Sequence, residues 1–299
     1  MVPSRERNSL IVGWFSFEQQ GATAGDLLVR DLVSKWLADA DIKHSVVVAE
    51  PFDDGLRWDA IDPQAYTDLL FVCGPFGNGW PITDLLRRFS HCRIHGINLT
   101  VLENLDSWNP FTNLLERDSS RASRPDLVFL SPPTRVPIVG LVLVHRQLEY
   151  GAQARHTEVD EIVRNVLDQK DVAIVPIDTR LDVNSTGLRS PAQVESLIAR
   201  MDVVVTTRLH GTVLALKNGV PVVPIDPIAG GAKITKQIAT IGWPILLDAD
   251  TLTHDSLKAA LEACLTESMR ERARECGDRA RHLLKDVPRD LIAAMGRIS

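Results

Sequence analysis

Few folds can accommodate the stretch Met201–Asp226, MDVVVTTRLHGTVLALKNGVPVVPID. Val203, Val204 and Val205 form a β-branched apolar run, the pattern of a strand buried on both faces. Val213–Lys217 reads as an amphipathic helical turn and a half, closed by Asn218 and Gly219, which tolerate the left-handed C-cap conformation. Val220–Ile225 is then the next buried strand. The whole is a β-α-β unit, with Arg208 and His210 where the first strand hands over to the helix. In open parallel sheets, ligands sit beyond the carboxyl ends of the strands. A guanidinium fork and an imidazole there, beside the unpaired N–H groups of a helix start, suit an anionic oxygen ligand such as phosphate. Spacing alone leaves the ordinary alternatives open: a surface ion pair for the arginine and a structural role for the histidine.

The same alternation of strand and helix runs along the chain. Leu10–Trp14 reads as a first strand, followed by a loop, Ser16–Asp26, and a helix in which Leu27, Leu28, Leu32, Val33, Trp36 and Leu37 recur at helical spacing. Within that loop, Gly21 and Gly25 permit close backbone approach to a ligand, and Asp26 can cap the helix. Ser45–Ala49, Leu69–Cys73, Ile97–Leu102 and Asp126–Leu130 read as further strands of an N-terminal sheet. Gly74–Trp80 is a glycine-rich turn, in which Gly74 and Gly77 either face a ligand or reverse the chain and Phe76 and Trp80 either stack on a sugar or pack. The basic cluster Arg87–His95 reads as a solvated helix face, and Asp106–Arg124 as patternless loop.

Ser131–Pro137, SPPTRVP, reads as a linker, dividing the chain into domains 1–134 and 135–299. The second domain begins with a strand, Val139–Val144, and continues with helix His156–Asp168 and strand Val172–Pro176. A helix follows, with Ser190 as its N-cap and Pro191 in its first turn. Glu195 lies on that helix. Beyond Ile225, Gly230 and Gly231 precede another helix start carrying Lys233. A cation there is disfavoured by roughly 0.3–1 kcal/mol unless an anion is bound. Ile245–Leu247 is the last strand, and helices rich in Arg, Glu and Ala fill Thr253–Met295.

The pattern T-T-R-L-H-G-x-x-x-A-L-x-x-G-V-P-V-V, from Thr206 to Val223 with Lys233 downstream, resembles the C-terminal signature of the polysaccharide pyruvyl transferase family. GATAGD, Gly21–Asp26, resembles the family's G-N-x-G-D element, and Gly74–Gly79 stands in degenerate form where the family carries a run of glycines. Arg146, after the Val139–Val144 strand, resembles an arginine that holds the donor's charged groups. The resemblance implies a GT-B-like α/β fold: two Rossmann-type, doubly wound parallel-sheet domains facing a cleft, the last helix packing back on the first domain. It also implies transfer of the enolpyruvyl group of phosphoenolpyruvate to a sugar of a polysaccharide or glycolipid, forming a pyruvate ketal. Arg146, Arg208, Leu209, His210 and Lys233 would bind the donor, with Arg208 and His210 catalytic and Asp26 or Glu195 as weaker proton-transfer partners; the alternative role for His210 is hydrogen bonding to the donor phosphate alone. Gly21, Gly25, Asp26, Gly74, Gly77 and Glu195 are the acceptor or loop candidates. Phosphoenolpyruvate is then a co-substrate, and no cofactor or metal is expected. A nucleotide-sugar glycosyltransferase and a noncatalytic sugar- or phosphate-binding protein remain the alternatives.

Composition narrows the partners. A net charge of −6 over 299 residues argues against nucleic acid. The opening MVPSRERNSLIVGWFSFEQQ has only a strand-length apolar run, neither signal peptide nor span. The four cysteines are scattered without a C-x-x-C, so neither a disulfide framework nor a zinc site is indicated. A cytoplasmic protein is expected, working at the inner membrane face if its acceptor is a membrane-bound glycolipid.

Overall fold

A computed structural model describes residues 6–52, 56–144, 155–230 and 233–296. The chain divides into two compact units, Met1–Thr134 and Arg135–Ser299. Unit 1 runs β1 (Asn8–Gly13), α1 (Ala24–Asp39), β2 (Lys43–Val46), β3 (Asp68–Val72), β4 (Pro75–Phe76), α2 (Ile82–Arg88), β5 (Arg93–Ile97), β6 (Thr100–Val101) and β7 (Asn113–Leu115). Its main sheet has the order β2-β1-β3-β5-β7, every pairing parallel, while β4 and β6 pair separately. Unit 2 runs β8 (Ile138–Val142), α3 (His156–Asp168), β9 (Ala173–Pro176), α4 (Pro191–Ile198), β10 (Val203–Thr206), α5 (Leu209–Lys217), β11 (Val222–Asp226), α6 (Lys233–Ile241), β12 (Leu247–Asp248), α7 (His254–Cys264), α8 (Glu267–Leu283) and α9 (Val287–Met295). Its sheet has the order β12-β11-β10-β8-β9, again all parallel.

Each unit is thus a Rossmann-type parallel sheet, and the two share one winding. Numbered within its own sheet, each has the strand order 2-1-3-4-5, the chain reversing direction between its first and third strands. Sheets of this kind bind ligands at that reversal, outside the carboxyl ends of the two strands. In unit 1 the point lies beyond β1 and β3; in unit 2 it lies beyond β8 and β10.

Side-chain alternation explains why the sheets are central. On β3, Leu69 and Phe71 join one apolar cluster, while Leu70 and Val72 join the cluster on the opposite face. On β10, Val203, Val204 and Val205 are fully buried. Burying such side chains contributes roughly 1.5–3 kcal/mol each. Burial also pushes the Cys73 and Cys264 thiols up to about 12, so neither is a nucleophile near neutral pH.

Several sequence expectations are corrected. Asp126–Leu130 is not a strand: Leu127–Leu130 is a short 3-10 turn, because the Asp126 carboxylate accepts the Val128 N–H and favours a turn over a ladder. The sheet gains instead β7, from the stretch that shows no pattern. Arg87–His95 is not one helix face, since Arg93 and His95 lie on β5 and bind the buried Asp68. Asp26 sits at the third position of α1 rather than capping it. Thr23 is the N-cap, and Asp26 accepts its N–H and hydroxyl at 2.7 Å each in a capping box. Helix α5 begins at Leu209, a full turn before the Val213 expected from its apolar pattern.

Candidate functional site

At the reversal point of unit 2, two threonines bind the strand tips together. Thr206 Oγ1 donates to the Val142 carbonyl at 2.9 Å and accepts the Arg208 N–H at 3.0 Å. Thr207 Oγ1 accepts the Val144 N–H at 2.8 Å. Helix α5 then starts immediately, with Arg208 as its extended N-cap residue and His210 exposed in its first turn. Gly211 makes this approach possible: a Cβ there would stand 2.3 Å from Thr206 Oγ1 and 3.0 Å from Val142 Cγ1.

The Arg208 side chain is only 14% exposed. Its Nε donates to the Leu143 carbonyl at 3.0 Å, and its Nη2 lies 3.7 Å from an Asp178 carboxylate oxygen. Asp178 is itself clamped by the backbone N–H groups of Arg180 and Ser185 and by the Ser185 hydroxyl. Burial works against its negative charge, yet those hydrogen bonds and the Arg208 charge prevail and hold the carboxyl below its usual range. Burial lowers the Arg208 pKa, but a guanidinium starts so high that it stays charged.

Asp178 carries a test of this clamp. Because its folded-state pKa lies below the unfolded value of about 3.9, its stabilisation is complete above that pH and is lost as pH falls through the folded-state value. Asp178→Asn should therefore melt below wild type at neutral pH, with the gap closing as the pH drops below about 4. Melting curves across that range measure it; a gap independent of pH would mean that the charge of Asp178 stabilises nothing.

A cavity of about 250 Å³ opens here, lined by Thr207, Arg208, Leu209, His210, Asp226 and Lys233 together with Val144, Thr179, Pro227, Ile228 and Ile234. The buried Asp226 holds the start of α6, accepting the Thr235 N–H at 3.1 Å and its hydroxyl at 2.9 Å. The carboxyl ends of β8, β10 and β11 thus meet the first turns of α5 and α6, with three cationic or ionisable nitrogen side chains on the wall.

A second cavity, of about 490 Å³, opens at the corresponding point of unit 1. It brings together Gly21, Gly25, Asp26 and Gly74 with Trp14, Arg117 and Asp126. Gly74 has φ +76°, and a Cβ there would meet the Trp14 indole at 2.2 Å. Arg117 is held by the Asp126 carboxylate at 3.0 Å and by Asp118 at 3.2 Å, which raises its pKa.

Residues 123–227 match the polysaccharide pyruvyl transferase family. The polysaccharide pyruvyl transferase match contains Asp178, Arg208 and His210 and ends just after Asp226, so it spans most of the unit 2 cavity. No curated protein matches the chain. Among solved structures, the chain is similar to the glycotransferase of kitacinnamycin (15% identity, 94% of this chain and 96% of that one, TM-score 0.34). It is also similar to the spinosyn rhamnosyltransferase SpnG complexed with thymidine diphosphate (10%, 91% and 95%, 0.35). A third is UDP-GlcNAc 2-epimerase from Methanocaldococcus jannaschii (10%, 93% and 99%, 0.34).

Of the residues expected from sequence, Arg208, Leu209, His210 and Lys233 line one cavity, and Gly21, Gly25, Asp26 and Gly74 line the other. Two others line neither cavity. Glu195 pairs with Lys217 at 2.6 Å and with Asn218 at 3.3 Å, at the end of α5 remote from His210, and lines neither cavity. A Cβ at Gly77 would lie 3.1 Å from Leu102 Cδ1. Arg146 lies outside the described residues. Sequence reasoning missed Asp178, Thr179 and Asp226, although the first follows a recognised strand and could have been found as a third strand-end residue. It also missed Arg117, from a stretch without periodicity, and Asp126, from a stretch read as a strand, both of which reach the unit 1 cavity.

Proposed function

We propose that the protein transfers the enolpyruvyl unit of phosphoenolpyruvate to two hydroxyls of one sugar residue, forming a pyruvate ketal and releasing phosphate. The observation that most supports this is the meeting of Arg208, His210 and Lys233 in one small cavity between helix starts. The donor carries both a carboxylate and a phosphate, and fixed guanidinium donors, a lysine and helix N–H groups are what such a dianionic end requires. Arg208 is aimed before any ligand arrives, because the Leu143 carbonyl and Asp178 already fix its fork.

In this reading, His210 is the proton-transfer residue. One sugar hydroxyl adds to C2 of the donor as C3 takes a proton and becomes a methyl group. The C2–O bond to phosphate then breaks, and the second hydroxyl closes the ketal as its proton leaves. Of the two hydroxyl protons, one ends on the methyl carbon and the other on hydrogen phosphate, so the step balances without oxidant or reductant. The unit 1 cavity supplies the glycine-lined walls and carboxylates suited to a sugar. The acceptor class is a glycan or glycolipid, and a lipid-linked acceptor would bring the protein to a membrane face. No described helix is long and apolar enough to cross a membrane.

The test is incubation with phosphoenolpyruvate and glycan acceptors, following inorganic phosphate and the new ketal methyl signal by NMR. Both should rise together. Phosphate release without a ketal methyl would sink the reading, and stabilisation by a nucleotide diphosphate-sugar but not by phosphoenolpyruvate would move it to glycosyl transfer.

A further inference from the structure

Unit 1 carries another cavity, of about 400 Å³, that the reaction above does not use. It borders the same segment as the Gly21 cavity: Trp14, Gln20 and Gly21 line one, and Ser16–Gln19 line the other. Trp58 and Trp80 contribute two indoles to it, and Trp80 is 69% exposed, an unusual position for the largest apolar side chain. Trp58 is seated edge-on against Phe17, with ring centroids 5.6 Å apart. On the rim, Arg57 pairs with two carboxylates. Its Nε and Nη2 donate to the two Asp59 oxygens at 3.2 and 3.1 Å, and its Nη1 donates to Glu18 at 2.8 Å.

We infer that this cavity is a second sugar subsite, which holds a neighbouring ring of the acceptor glycan and makes the acceptor an oligosaccharide rather than a free monosaccharide. A pyranose has an apolar C–H face that stacks on an indole and an equatorial belt of hydroxyls that both donate and accept. Trp80 and Trp58 offer the indoles, and the Arg57–Asp59–Glu18 array offers fixed donors and acceptors beside them. One guanidinium against two carboxylates leaves the rim net negative, which disfavours a phosphate or nucleotide and suits a neutral hydroxylated ring. Both cavities fall in the range of roughly 300–1,000 Å³ in which small-ligand sites occur. The subsite's role as part of the acceptor path rests on the pyruvyl-transfer reading; its sugar binding does not.

The experiment is fluorine NMR of protein labelled with fluorotryptophan, with Trp80 and Trp58 assigned through Trp80→Phe and Trp58→Phe. Glucose, galactose and mannose are added as free sugars and as their β-linked di- and tetrasaccharides. At least one tetrasaccharide should shift the Trp80 and Trp58 signals while leaving that of the buried Trp243 in place. Its free sugar should bind about tenfold more weakly, Trp80→Ala should weaken the tetrasaccharide about tenfold, and Trp80→Phe should restore most of the loss. The melting-temperature rise given by phosphoenolpyruvate should be the same in wild type and Trp80→Ala. Trp80 signals unmoved by every sugar, or a Trp80→Ala variant that binds the tetrasaccharide as wild type does, overturns the subsite. Sugar-induced shifts without any response to phosphoenolpyruvate leave the subsite standing and remove the pyruvyl-transfer reading instead.

Discussion

Arg208→Ala should show no rise in melting temperature with phosphoenolpyruvate, whereas wild type should gain about 5–10 °C at a hundredfold excess over the dissociation constant. That excess adds about 2.7 kcal/mol to the stability of a protein that binds only when folded. The variant removes the guanidinium bound to the Leu143 carbonyl and facing Asp178, and with it the charge that a dianion needs. Turnover should fall with it, kcat/KM dropping about a thousandfold, which corresponds to about 4 kcal/mol of lost transition-state stabilisation. Arg208→Lys should recover little, because a point charge cannot donate to Leu143 and also present a planar fork. The variant without ligand melts lower as well, since it removes one of the charges that stabilise the Asp178 carboxylate, so each protein is compared with its own ligand-free baseline. An Arg208→Ala protein that gains as much as wild type would put the donor elsewhere.

Gly211→Ala should be destabilised by about 1–3 kcal/mol and lose most of its activity, although it adds only a methyl group. That methyl would stand 2.3 Å from Thr206 Oγ1, the atom that joins β10 to β8 and orients the Arg208 N–H. Either the helix start retreats, carrying Arg208 and His210 with it, or the threonine turns and the strand tips separate. Gly25→Ala is the contrasting case: its Cβ would meet nothing closer than 3.5 Å, and α1 would gain roughly 0.5–1 kcal/mol from the better helix former. Denaturant unfolding of the two variants should therefore move in opposite directions. Equal stability for Gly211→Ala and wild type would show that the start of α5 is loosely packed.

The site in unit 2 was legible because its residues are local. Thr206–His210 fall within five consecutive positions at the end of a β-branched run, so the strand-to-helix handover and the side chains placed on it are read together. Lys233 is legible for the same reason, as a cation at a helix start. The unit 1 cavity was half legible. Its glycines mark themselves by composition, but Arg117 and Asp126 come from a segment whose order depends on ion pairs and side-chain-to-backbone hydrogen bonds, which leave no period in the sequence. The misreading of Asp126–Leu130 has the same origin. Four apolar residues in a row satisfy a strand pattern, yet Phe129 and Leu130 are largely exposed and the preceding carboxylate sets the turn. Glu195 shows the converse failure: residue type and proximity in sequence suggested a role, and a lysine at the far end of α5 claimed it.

The two cores close at very different points along the chain. Unit 1 draws its last core contact from Val128, whereas the core of unit 2 extends to Cys276, on the helix that packs so tightly against α5 that a Cβ at Gly277 would stand 2.6 Å from the Leu216 carbonyl. On the ribosome, unit 1 is thus ready to fold roughly 7–30 s before the helix that backs Arg208 and His210 has been made, at ordinary rates of synthesis. A nascent chain in that interval holds the Gly21 cavity and not yet the Arg208 cavity. A chain released early would therefore carry the first of the two cavities without the second.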